Sequence, residues 1–160
     1  MDLMLPVGRL YHIAYVVPEL TAAMAELGEM LGLTWAKPTK RATGTYDRHR
    51  GVAQVAFWLA YSTTGPPHVE LIEGTPDTLW DPDGAPRIHH VGMWVDDLAT
   101  ESTRLTELGM PIVGHGVDDD GEFARFTYHE NPYGPWVELV APTTRGPWER
   151  WMLGADLELS

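Results

Sequence analysis

One motif occurs twice in this chain, and its repetition limits the possible folds more than any other feature. Leu10-Tyr11-His12-Ile13-Ala14-Tyr15-Val16-Val17-Pro18-Glu19-Leu20 returns, altered, as Arg87-Ile88-His89-His90-Val91-Gly92-Met93-Trp94-Val95-Asp96-Asp97-Leu98. In each copy a His stands two places before a small residue, and a Val, an acidic residue and a Leu follow. His12 and His90 lie 78 residues apart, too far for one solenoid unit and suitable for two modules of a small domain. The closing segments echo each other too: Val69-Glu70-Leu71-Ile72 ends the first half, and Val137-Glu138-Leu139-Val140 the second. Each half begins with His and ends with Glu.

Within the first copy, Leu10 to Val17 alternates as a strand. Pro18, Glu19 and the helical spacing of Leu20, Met24, Leu27 and Leu31 then predict an amphipathic helix that stops at Gly32. A short strand is expected over Leu33 to Lys37. The polar, basic segment Pro38 to Gly51 reads as a loop or mobile edge strand. Val52 to Tyr61 and His68 to Glu73 complete the half as strands. The second half repeats the order: strand Ile88 to Val95, helix Leu98 to Leu108 capped by Asp96 or Asp97, and a strand near Ile112. Glu122 to His129 and Pro135 to Ala141 follow as strands around the turn Asn131-Pro132-Tyr133-Gly134.

The predicted fold class is therefore α+β: two tandem βαβββ modules forming an eight-stranded open curved sheet around a ligand site. Module one spans residues 9–73, a Pro- and Gly-containing linker 74–86, module two 87–141 and a tail 142–160, all in one domain. Trp148, Trp151, Met152 and Leu153 in the tail have no module left to cover, which predicts a homodimer.

Alternation sends His12, Glu70, His90 and Glu138 to the sheet face without helices if Tyr11, Leu71, Val91 and Leu139 pack beneath the helices. A lone His on a strand is ordinarily structural, but charged residues are rarely buried unpaired, and these four sit at matched points of a repeat. Two imidazoles and two carboxylates suit one divalent metal ion, Co, Ni, Mn, Zn or Fe. Two open coordination positions would accept adjacent substrate oxygens, and a metal acting as a Lewis acid there favours proton transfer beside a carbonyl. Trp94 and Trp136 share parity with His90 and Glu138, so with Trp58 and His49 they are candidate walls of a substrate pocket. His89 falls on the other face by alternation and reads as structural.

Composition excludes several alternatives. With 23 acidic against 11 basic residues the formal charge is −12, unsuited to nucleic acid or an anionic membrane. There is no Cys, so disulfides and thiolate ligands are excluded. No apolar run reaches the roughly 20 residues of a membrane span, and the Met1-to-Pro6 start lacks a signal-peptide pattern, which predicts a cytoplasmic protein.

The paired His-[Ile/Val]-[Ala/Gly]-x-x-Val openings and Val-Glu-Leu closings resemble the vicinal oxygen chelate superfamily, the glyoxalase fold, over residues 9–141. The first copy is most similar to the methylmalonyl-CoA epimerase-like branch. The resemblance implies a metal held by His12, Glu70, His90 and Glu138, and an isomerase, epimerase or lyase acting on a carbonyl compound, aromatic or CoA-linked, through an enolate. It implies Glu138 as the base, with Glu70 as its pseudo-symmetric partner. The alternatives on this fold are a glyoxalase I-type lyase, a ring-cleaving dioxygenase and a metal-free small-molecule or antibiotic-binding protein. Two departures matter. The epimerase branch has an amide at the Glu70 position and a further carboxylate near its third strand, where the nearest groups here are Asp47 and His49. Glyoxalase I has the two-His, two-Glu set, but its glutathione-binding residues find no match.

Overall fold

A computed structural model describes residues 9–83 and 88–159. The expected linker boundary at 86/87 lies outside the described residues. The strands are β1 (Leu10–Val17), β2 (Thr39–Asp47), β3 (Gly51–Tyr61), β4 (His68–Glu73), β5 (His90–Trp94), β6 (Ile112–Val117), β7 (Phe123–His129) and β8 (Trp136–Val140). Helices α1 (Leu20–Leu31), α2 (Leu98–Glu107) and α3 (Arg145–Met152) complete the chain.

Each module supplies four strands, and the eight are ordered β1-β4-β3-β2-β6-β7-β8-β5. The opening and closing strands of each module run parallel, β1 with β4 and β5 with β8, and β1 pairs antiparallel with β5 across the pseudo-twofold axis. The sheet curves further than an open one: β2 pairs with β6 from Gly44↔Val117 to Asp47↔Gly114 and closes the barrel. Closure corrects the reading of residues 38–51. Thr39–Asp47 is neither a loop nor an edge but a nine-residue strand hydrogen-bonded on both sides. Its Thr43, Thr45 and Asp47 are buried at the seam, where β-branched threonine suits a pleated backbone. The short strand expected over Leu33–Lys37 reduces to one bridge, Trp35 to Ser62.

The helices cover the outside of the barrel. Glu19 lies one residue before α1 as its N-cap, accepting from the amides of Thr21 and Ala22 at 2.9 and 2.6 Å. Asp97 caps α2 through the Thr100 amide. Leu20, Met24 and Leu27 pack over Ala60 and Leu71; Leu98 and Leu105 pack over Val137 and Leu139. These outward apolar positions leave the alternate residues of the same strands facing inward.

Two segments outside the modules also fill the barrel. The linker places Trp80, 1% exposed, against Phe57 with ring centroids 4.4 Å apart. Most of the tail's apolar side chains turn back onto the barrel. Trp151 is 1% exposed and donates to the Lys37 carbonyl, and Trp148 meets Tyr11, Tyr61, His68 and Trp94 edge to face. The chain covers its own barrel with α3, which accounts for the burial of Trp148 and Trp151 within one chain. Leu153 alone of that group is fully in solvent.

Candidate metal centre

Two adjacent rows of the sheet explain the sequence repeat. Tyr61 pairs with Glu70, Glu70 with Ala14, and Ala14 with His90. In the other row Tyr128 pairs with Glu138, Glu138 with Gly92, and Gly92 with His12. Each row reads Tyr, Glu, small residue, His, and each crosses from one module into the other. The small residue two places after each His is the register partner of the opposite His. At position 92 it must be glycine, because a Cβ there would lie 1.8 Å from His12 Cε1.

The four expected side chains converge. His12, Glu70, His90 and Glu138 are all buried, and each offers one donor atom within 4.8 Å of the other three. His12 Nε2 is 2.9 Å from His90 Nε2, 3.2 Å from Glu70 Oε2 and 3.0 Å from Glu138 Oε2. His90 Nε2 is 3.1 and 3.3 Å from the same two carboxylate oxygens. Donors about 2.1 Å from a common ion are separated by about 3 Å when they sit at right angles, so these spacings fit a first-row divalent metal.

The hydrogen bonds behind His90 strengthen that fit. His89, buried, directs Nε2 at the Leu79 carbonyl at 2.8 Å and Nδ1 at His90 Nδ1 at 2.7 Å. A carbonyl only accepts, so His89 Nε2 carries the proton. Burial, and then the neighbouring His90 charge, push His89 down to about 3, so it is neutral and its Nδ1 accepts. His90 Nδ1–H therefore donates, and a neutral His90 turns its Nε2 lone pair toward two carboxylates. Only a proton or a cation relieves that crowding of acceptors. His89 thus belongs to the site, contrary to the structural role that strict alternation implied; it precedes β5, where alternation does not apply.

Without a metal the cluster is held by protons. Burial opposes charging His90, but the Glu138 and Glu70 carboxylates outweigh it and raise its pKa to about 9. His12 is likewise raised, while both carboxylates are held below their usual range by the two imidazoles despite burial. A His whose folded pKa is raised stabilises the protein fully below its unfolded pKa, about 6.5, and loses that contribution as pH climbs toward the folded value. A metal needs the deprotonated imidazoles, so its stabilisation grows over the same range. The rise in melting temperature on adding a divalent metal to chelator-treated protein is therefore expected to be larger at pH 9 than at pH 6.5. A smaller rise at pH 9 would contradict this proton-for-metal exchange.

Glu70 and Glu138 form part of the lining of a cavity of about 580 Å³, counting its open mouth. Its walls include Tyr11, Tyr61, Trp94, Phe126, Tyr128 and Trp148, with Arg41 and Arg125 among the polar members. Burial, then the Glu70 and Glu138 charges, push the pKa values of Tyr11, Tyr61 and Tyr128 well up, so these hydroxyls remain protonated. Tyr11 was expected beneath a helix but stacks on Trp94 inside the barrel, ring centroids 4.0 Å apart. The register shift between Leu10 and His12 on β1 is responsible, since a bulge turns consecutive side chains to one face.

Of the four pocket residues expected from sequence, Trp94 lies on this cavity. Trp58 is 43% exposed on the outside, because β3 sends Phe57, Leu59 and Tyr61 inward. Trp136 and His49 line a separate cavity with Asp47, Arg48 and Arg50. Asp47 and His49 are absent from the lining of the cavity that Glu70 and Glu138 share, so neither replaces a third-strand carboxylate there. Asp47 is instead ion-paired with Arg50 at 2.8 Å.

A profile of the Glyoxalase/Bleomycin resistance protein/Dioxygenase superfamily matches residues 11–128. The chain belongs to that superfamily. Among its relatives, an uncharacterized Bacillus subtilis protein, YwbC, is 27% identical over 131 residues, covering 82% of this chain and 95% of that protein. An ethylmalonyl-CoA/methylmalonyl-CoA epimerase of Cereibacter sphaeroides is 29% identical over 137 residues, covering 83% and 97%. Similar solved folds include methylmalonyl-CoA epimerase from Mycobacterium tuberculosis, with TM-score 0.56, 18% identity and coverage of 89% and 95%. Another is a Streptomyces coelicolor methylmalonyl-CoA epimerase variant with 2-nitronate-propionyl-CoA, with TM-score 0.56, 16% identity and coverage of 83% and 96%. Superfamily membership accords with a buried His/Glu group that could hold a metal; among the described residues no helix is long and apolar enough to cross a membrane.

Proposed function

We propose that the protein is a divalent-metal-dependent isomerase or epimerase that moves a proton at the carbon beside a carbonyl. The observation carrying this reading is the paired rows, which bring two carboxylates to one cavity from opposite modules. His12, Glu70, His90 and Glu138 would hold the ion. When bound, the metal polarises the substrate carbonyl oxygen and so acidifies the adjacent carbon.

Glu138 takes the proton from that carbon, and the substrate becomes an enolate. Glu70, its pseudo-symmetric counterpart, enters the cycle as the carboxylic acid and gives its own proton to the other face, which leaves Glu138 protonated and Glu70 ionised until exchange with solvent resets both. Two such groups on opposite faces invert a centre, whereas one restricts the reaction to transfer on one face or to a lyase step. The protonated Tyr61 and Tyr128 hydroxyls, each one strand beyond a Glu, are donors within the same cavity. The aromatic walls exclude water from the enolate. The Cereibacter relative is named for CoA-linked substrates, and an acyl-CoA could place its acyl end in the cavity with the remainder outside.

The test is incubation of metal-loaded protein in deuterium oxide with a panel of carbonyl substrates that includes methylmalonyl-CoA, read by mass spectrometry. At least one enolisable substrate is expected to gain one deuterium, and chelation should stop the exchange. Binding across the panel with no exchange at any carbon would favour a metal-free binding protein.

A further inference from the structure

Arg41 and Arg125 stand where the reaction cavity meets a polar groove, and each lines both spaces. Arg41 lies on β2, its guanidinium 6.0 Å from the centre of the Phe126 ring. Arg125 lies on β7 at a break in register with β6: Gly116 pairs with Ala124 and His115 with Thr127, leaving Arg125 and Phe126 without partners on β6, while Phe126 still pairs with Val140 of β8. Alternation from the inward-facing Phe126 would send Arg125 out of the barrel. The bulge instead turns it into the cavity wall, with φ of 69°, a conformation that non-glycine residues rarely adopt and that surrounding structure must impose.

The side chain is then held in place. Arg125 Nη2 donates to Thr43 Oγ1 at 2.9 Å and to the Val117 carbonyl, while its Nε is buried without a partner. Arg9, Arg48, Arg50, Arg104 and Arg145 each have a carboxylate within 4 Å. Among the described residues neither Arg41 nor Arg125 forms such an ion pair, although acidic residues outnumber basic ones 23 to 11. Asp118 and Asp119 attract Arg125 only from a distance, and burial together with the Arg41 charge weakens its hold on its proton. Two like charges that repel one another, one on a disfavoured backbone and neither ion-paired among the described residues, make an arrangement that an anion would relieve.

We propose that Arg41 and Arg125 form a subsite for an anionic group of the substrate, a carboxylate or a phosphate, at the junction of cavity and groove. This deepens the function proposed above and rests on it for the location of the reacting carbonyl. The substrate class is then an organic acid or phosphate whose carbonyl end lies between Glu70 and Glu138 and whose apolar body passes Trp94 and Phe126. The arginine pair also supplies the local attraction that a chain of formal charge −12 needs to hold an anionic ligand.

Calorimetric titration of the metal-loaded protein with phenyl phosphate and with benzoate, using phenol as the uncharged control, tests the proposal. One or both anions should bind, with phenyl phosphate the tighter if the natural group is a phosphate and benzoate if it is a carboxylate. Arg41→Gln and Arg125→Gln should each weaken that binding at least tenfold without changing phenol binding. Arg41 occupies regular strand, so its variant remains informative if Arg125→Gln folds poorly. Chelator-treated protein should keep the arginine-dependent binding, which separates this subsite from the metal reading. Wild-type affinity in both variants, or anion binding that disappears with the metal and ignores the arginines, would overturn the proposal.

Discussion

Gly92→Ala is expected to empty the candidate metal centre without touching any of its donors. An added Cβ would meet His12 Cε1, Nδ1 and Nε2 at 1.8, 2.3 and 2.4 Å, well inside any permissible contact, so the His12 ring must leave its place. The pairing of β1 with β5 fixes position 92 directly opposite His12, and backbone movement there would disturb the parallel pairing of β5 with β8 as well. Metal affinity should fall by more than the ~10–100-fold typical of losing a supporting contact, and overpacking should lower stability by about 1–3 kcal/mol. Ala14→Gly, at the pseudo-equivalent position opposite His90, is the control. It creates no clash, and His89 still orients His90, so metal should remain. Metal per chain after dialysis, with thermal melting of both variants, checks the pair. Stoichiometric metal in Gly92→Ala would show that His12 is dispensable.

The second large effect is expected at the carboxylates. Glu138→Gln keeps the shape of the side chain and an oxygen donor but removes the proton acceptor, and loss of a general base typically slows proton transfer by about 10²–10⁴-fold. Deuterium wash-in under single-turnover conditions should fall by that much in variant protein that still binds metal. Glu70→Gln should allow removal of the proton but suppress its return from the opposite face, so that exchange continues with inversion lost. If Glu138→Gln exchanged at the wild-type rate with metal retained, Glu138 would be a ligand alone, and Glu70 would become the base to test.

Much of this was legible in the chain because a repeat doubles every signal. Paired His and Glu at matched positions, with helix-facing apolar residues between them, predicted both the modules and the four donors that meet in the barrel. The Ala14 and Gly92 signature was visible as well, though its cause appears only in three dimensions, where each small residue faces the other copy's His. What stayed hidden depends on departures from alternation or on long-range closure. Arg125 and Tyr11 reach the cavity through bulges, which leave no periodic trace. The polar strand Thr39–Asp47 looked like a loop because its apolar face is replaced by buried threonines at a seam made by residues more than sixty positions away. Tyr61 and Tyr128 were within reach: each shares parity with inward neighbours, Leu59 in one strand and Phe126 in the other, and the repeat relates them. Trp148 and Trp151 read as apolar in the sequence, but nothing in its local pattern shows that α3 folds back over its own barrel.

His12, Glu70, His90 and Glu138 are proposed to form one divalent metal site. Elemental analysis of protein purified without chelators, compared with His90→Ala protein shown to be folded by circular dichroism, tests it directly. Close to one equivalent of a first-row divalent metal is expected per wild-type chain, and little or none in the variant. Equal metal content in the two proteins, or wild-type protein that takes up no divalent metal when it is supplied, would contradict it.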